Sequence, residues 1–128
     1  MKFIVLLGRI LFSAIFVIAS FNHFTQPTIA YAASQGVPYA DYMVPLAGIL
    51  ALVGGLSILL GFKARFGAWL IVIFLVPVTF MMHDFWAVSD PMMAALQQIM
   101  FFKNISMLGG ALVLTYFGAG PLSLDNAR

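Results

Sequence analysis

The sequence predicts an all-α fold: a single antiparallel bundle of four transmembrane helices with both termini cytoplasmic. Three observations carry this expectation: the scarcity of charge, four long apolar runs, and the one-sided placement of basic residues between them. Of 128 residues, 63% are hydrophobic, 15% aromatic and only 8% charged, whereas a soluble domain carries about 25% charged residues. A chain this short leaves much of its surface exposed, and six Lys+Arg with four Asp+Glu cannot make that surface wettable. The composition therefore excludes a soluble enzyme, a disordered tail and a nucleic-acid binder, since a net charge of +2 is too small for a phosphate-tracking patch. Cysteine is absent, so a disulfide framework, a thiol nucleophile and a CxxC redox pair are excluded too. The length fits one domain over residues 1–128.

A spanning helix needs about 20 apolar residues, because the hydrocarbon core is about 30 Å thick and each residue rises about 1.5 Å. Four stretches qualify, at about residues 3–22, 43–61, 64–83 and 97–117. The second and third are joined by the very short turn Gly61-Phe62-Lys63, which forces an antiparallel hairpin. Helices are expected rather than a barrel because the runs are continuous instead of alternating. Lys2, Lys63, Arg65 and Arg128 fall at the N-terminus, the second connection and the C-terminus, while the other two connections hold Asp41, Asp84 and Asp90 without Lys or Arg. This is the positive-inside pattern, and it places both termini in the cytoplasm. A cleavable signal peptide ending near Ala30-Tyr31-Ala32 is disfavoured, since the first apolar run exceeds the 7–15 residues of such a segment.

The first connection reads as a loop with a short interfacial helix at residues 29–34, ended by Gly36 and followed by Pro38. Tyr31, Tyr39 and Tyr42 suit the headgroup level. In the third connection Ser89 or Asp90 can cap a helix whose first residue is Pro91. Pro77 is expected to kink the third span and to free a carbonyl near Ile73. Ala47, Ala51 and Gly55, four apart beside Gly48 and Gly54, form a small-residue stripe on the second span. Ser106, Gly109 and Gly110 do the same on the fourth. Such stripes let helix backbones approach closely, either within the chain or between copies in a homo-oligomer.

Polar residues inside the spans carry the functional expectation. Arg9, Ser13, Phe16, Ser20 and His23 recur at spacings of four and three, which puts them on one helix face, assigned to the bundle core. Arg9 has two readings: an anchor snorkelling to the inner surface, or an internal functional cation. Topology gathers Asn22, His23, His83, Asp84, Gln97, Gln98, Lys103 and Asn104 at the other membrane face. One reading pairs Asp84 with Lys103 and uses the His and Asn side chains as helix caps. The other makes Arg9, His23, His83, Asp84, Lys103 and Asn104 the polar anchors of a ligand site. No catalytic set is identifiable, and no HxxxH, HExxH or paired-carboxylate spacing supports a metal.

The segments Gly8-Arg9-Ile10-Leu11, Gly36-Val37-Pro38 and Gly54-Gly55 through Leu60-Gly61-Phe62-Lys63-Ala64-Arg65 resemble the DoxX family of small membrane proteins. So do His83-Asp84-Phe85-Trp86, Phe101-Phe102-Lys103-Asn104-Ile105-Ser106 and Gly118-Ala119-Gly120-Pro121-Leu122-Ser123-Leu124-Asp125. The resemblance runs in order over nearly the whole chain. It implies a four-helix protein of a bacterial-type inner membrane, linked to redox or oxidative-stress physiology. Many members carry Glu just before the Gly-Gly of the second span, where this chain has Ala51, which weakens the case for proton-coupled chemistry. The leading functional expectation is an accessory or binding component, holding a quinone-like lipophile at the outer face or docking a redox partner protein. The alternatives are a catalytic subunit of a quinone-linked oxidoreductase, without a self-contained catalytic motif, and a purely structural membrane oligomer through Ala47, Ala51 and Gly55. Four short spans without repeated halves argue against a transporter.

Overall fold

A computed structural model describes residues 1–126; Arg128, counted above for orientation, lies outside the described residues. Among the described residues five α-helices form: α1 (Lys2–Ser20), α2 (Gln26–Ser34), α3 (Ala40–Leu60), α4 (Ala64–Met82) and α5 (Pro91–Phe117). Among the described residues there is no strand. Each of the four expected spans is a helix long and apolar enough to cross a membrane, the first continuing through a 3-10 turn to Phe24. The protein is therefore all-α and a multi-pass membrane protein.

Local chemistry sets the boundaries. Asp90 accepts a hydrogen bond from the Met93 amide at 3.2 Å with Pro91 opening α5, as its sequence position predicts. The interfacial helix α2 starts at Gln26, three residues earlier than expected. Its second residue is Pro27, whose fixed φ suits a first turn. Gly36, at φ +90°, ends it: the Gly36 amide donates to Ala33 O and the Val37 amide to Ala32 O, each at 3.1 Å, the Schellman pattern. Gly61 repeats that pattern at the end of α3, with Phe62 N on Ser57 O at 3.0 Å. In the second span α3 also begins earlier than expected, at Ala40 rather than residue 43. α4 runs unbroken through Pro77.

α3 is the hub, packed against α1 and α4, and α4 packs against α5. Phe16, Ala51, Ile58, Ile71, Leu75 and Ala111 form the centre of the core. Small residues make the close approaches possible: a Cβ on Gly54 would sit 2.9 Å from Gly67 O, and one on Gly55 2.9 Å from Val17 Cγ2. The stripe on α3 thus packs within the chain. Ala51 has no exposed surface left to offer a second copy. Between α1 and α5, Phe12 fills the gap over Gly110, whose added Cβ would meet its ring at 3.0 Å.

The segment after α5 folds back beneath the end of the bundle where α1 begins. Leu124 N donates to Leu60 O at 3.2 Å and Asp125 N to Gly61 O at 2.7 Å. The Asp125 carboxylate accepts from the Lys63 and Ala64 amides at 2.7 and 3.0 Å, so a residue some sixty positions away closes the start of α4. Arg9 donates from Nη2 to Leu122 O.

Candidate ligand-binding site

The stripe read on α1 is buried as expected: Arg9, Ser13, Phe16 and Ser20 are its buried residues. Ser13 Oγ donates to Arg9 O and Ser20 Oγ to Val17 O, each at 2.6 Å, so the hydroxyls satisfy themselves on their own helix and leave the stripe's outer end to His23. There the chain tightens into a 3-10 turn, Phe21–Phe24, that carries His23 over Gly48 of α3. A Cβ on Gly48 would lie 2.6 Å from His23 Cβ and 3.2 Å from Phe24 Cζ, so only glycine seats this turn.

His23 lines a cavity of about 350 Å³. α2 roofs it with Thr28 and Ala32, and the strap Val37-Pro38 closes its rim. Its walls are the first half of α3, including Ala47 and Leu50, and the second half of α4 from Ile73 to Met82. Phe74 stands against the His23 ring, centroids 5.5 Å apart and nearly edge-on. The volume is within the range of small-molecule sites, and the wall has their usual make-up, apolar with a few polar groups. Those polar groups are His23, whose Nδ1 lies 3.1 Å from Ala19 O, and Thr28, whose hydroxyl is 3.1 Å from that of Thr25. Sequence reasoning singled out His23 but not Thr28 or the other α2 residues. Pro38, two residues after the Gly36 cap, was the available signal that the loop turns back over the bundle.

The six candidate residues do not converge. Arg9 is at the end of the bundle where α1 begins, buried beneath the tail against Gly61. It is neither a snorkelling anchor nor near the histidines; its Nε and Nη1 are buried without hydrogen-bond partners. His83 Nδ1 is 2.7 Å from Gln97 Oε1, a contact that ties the end of α4 to α5. Asp84 and Lys103 form no ion pair: Lys103 Nζ points back along its helix to Met100 Sδ at 3.5 Å, and Asp84 accepts through its backbone from Ala87. Lys103 is exposed on α5 while Asn104 is buried one residue on. An aromatic cluster of Phe80, Phe85, Trp86 and Phe101 joins the end of α4 to α5, with centroids 5.2–6.4 Å apart. Among the described residues no three His, Cys, Asp or Glu side chains gather where a metal could bind.

A second hollow, of about 580 Å³, lies at the end where α1 begins, between Lys63, Arg65, Phe117 and the tail. It is more open and surface-bound than the His23 cavity.

Comparison with known proteins fits this architecture. The sequence pattern that defines the DoxX family matches residues 4–84. The chain is 34% identical to the inner membrane protein YqjF of Escherichia coli over 123 residues, covering 94% of this chain and 88% of that protein. It is 29% identical to the inner membrane protein YphA of the same organism, over 95% and 88% respectively. Over 84 residues it is 31% identical to the Surfeit locus protein 4 homolog of Schizosaccharomyces pombe, which is 65% of this chain but 28% of that protein. No solved structure matches it.

Proposed function

Because this chain belongs to the DoxX family, we propose that it is an inner-membrane accessory protein that holds a lipophilic small molecule in the cavity beneath α2. One observation supports the reading above the rest: an apolar hollow of about 350 Å³ whose polar contacts come down to His23 and Thr28. A quinone-like molecule is the leading candidate class, since a ring of that size with an apolar tail matches both the wall and its sparse polar groups. A place in redox or oxidative-stress physiology is part of this proposal and rests on the resemblance to the family alone. The ligand would couple the protein to a partner that supplies electrons, because the site has no nucleophile–base pair of its own. Of the six candidate anchors, His23 is the one that lines this cavity; His83, Asp84 and Lys103 would act at the same end of the bundle, where a partner protein docks, and the buried Asn104 would act from within it. Relatives named as inner membrane proteins and the positive-inside pattern support an inner-membrane location with both termini cytoplasmic.

Filling the hollow tests the proposal. Ala47 lines it and is partly buried, so Ala47→Phe would occupy the ligand's space while adding only apolar bulk. Wild-type protein purified in mild detergent is expected to release a lipophile near one per chain on solvent extraction. Ala47→Phe, with unchanged helical content by circular dichroism, is expected to release at least tenfold less. Identical extracts from the two proteins would sink the reading.

A further inference from the structure

The hollow of about 580 Å³ at the basic end is separate from the cavity beneath α2 and does not depend on what that cavity holds. We infer that it is a second binding site, for the phosphate headgroup of an anionic phospholipid, with Arg65 and Lys63 as its cations.

Three pieces of chain enclose the hollow: the first residues of α4, the end of α5 at Phe117, and the tail through Gly118, Gly120 and Asp125. The Arg65 stem rests on Gly118. A Cβ there would lie 3.1 Å from Arg65 Nε and 3.4 Å from its Cγ, so the absent side chain leaves the space the arginine occupies. The φ of +74° at Gly118 also favours glycine.

The charge of this pair is unmatched. Among the described residues neither Arg65 nor Lys63 forms an ion pair. Lys63 Nζ stands over the Phe62 ring, 5.7 Å from its centroid, and an exposed contact of that kind is weak. Asp125 shares the wall, but its two oxygens accept from the Lys63 and Ala64 amides. It also interacts electrostatically with the buried Arg9.

Phosphate suits this arrangement. A guanidinium offers a planar fork of donors that matches phosphate oxygens, and an ammonium adds a point charge. Basic pockets between spans at a membrane face collect anionic headgroups. The flanks point to a lipid over a free anion. Phe66 and Phe117 line the same hollow and are 62% and 69% exposed, on helices apolar enough to cross the membrane. A headgroup seated between the cations keeps its acyl chains against those rings.

The probes are phosphatidylglycerol and phosphatidylcholine with identical acyl chains. Delipidated full chain in a non-ionic detergent is offered both in equal amounts, and the bound adducts are weighed by native mass spectrometry. Each basic residue near a headgroup favours the anionic lipid by about fivefold, so the wild type is expected to carry about thirtyfold more phosphatidylglycerol. Arg65→Gln is expected to lower that ratio about fivefold. Adding Lys63→Asn should bring it close to one, with helical content unchanged by circular dichroism. Asparagine tolerates the left-handed backbone of residue 63, at φ +51°. Lys2→Gln removes the same charge from the same end without touching the hollow, and is expected to leave the ratio unchanged. Equal losses in Lys2→Gln and Arg65→Gln would overturn the site and leave a diffuse surface charge. Equal adducts on the wild type, or none of either lipid, would overturn it as well. Excess inorganic phosphate, against chloride of equal ionic strength, is expected to leave the lipid bound. If phosphate strips it, the occupant is a free phosphate and the lipid assignment is overturned.

Discussion

Asp125 does more at the residue scale than its position in a tail suggests. Its two carboxylate oxygens hold the first amides of α4, the groups that every helix leaves unpaired at its start and that an anion there stabilises. Asp125→Ala is expected to destabilise the protein by about 1 kcal/mol, the usual effect of losing an N-terminal cap, read as an earlier midpoint in detergent-denaturant unfolding. Asp125→Asn should recover part of it, since one oxygen still accepts. The residue scale is also where sequence reasoning divided most sharply. The burial of Arg9, Ser13, Phe16 and Ser20 was legible, because a spacing of four and three encodes a helix face by itself. The partner of Arg9 was not: Leu122 is 113 positions away, and its contribution is a backbone oxygen, which every residue possesses. The Asp84–Lys103 pairing failed for a related reason. Opposite charges at one membrane face need not meet when a lysine can turn its long stem along its own helix.

At the scale of elements, the α3–α4 hairpin is the tightest joint in the molecule. Gly54 and Gly67 bring the two backbones together, and any Cβ on Gly67 would run into the Ser57 side chain. Without a hydrophobic drive between helices in lipid, such contact is what holds them. Gly67→Leu is therefore expected to cost about 1–3 kcal/mol through overpacking, whereas Gly109→Leu, on a glycine with nothing within 4 Å, should leave the unfolding midpoint unchanged. The hairpin, its three-residue turn and the caps at Gly36, Gly61 and Asp90 were all readable in order along the chain, because each is a local rule about backbone conformation. The cavity was not readable. It exists because α2 is laid across the ends of α3 and α4, a placement decided by contacts such as Ile29 and Ala32 against Val44 and not by any pattern within α2.

The whole molecule separates its polar residues between two ends. One end carries Lys2, Lys63, Arg65 and the tail that seals Arg9; the other carries the His23 cavity and the His83–Gln97 contact. In the proposed orientation, with the basic end in the cytoplasm, the cavity opens toward the far leaflet. A reporter that fluoresces only in the cytoplasm, fused after the C-terminus, is expected to be bright, and a phosphatase active only outside it is expected to be silent there. The reverse pair of signals would invert the orientation and put the cavity in the cytoplasmic leaflet.

The bond between Arg9 and Leu122 ties the first span to the segment that follows the last one, whose Asp125 lies on the joint between α3 and α4. The order of assembly follows. When α1 enters the membrane, its guanidinium has no protein acceptor and must stay hydrated at the surface. The hairpin then inserts with the start of α4 still open. Only the emergence of the segment after α5 gives Arg9 the Leu122 carbonyl and caps α4 in the same step, so that segment acts as a latch. Before that segment emerges the chain holds an unsealed charge and an uncapped helix at the same membrane face, and one short stretch of chain reaches both.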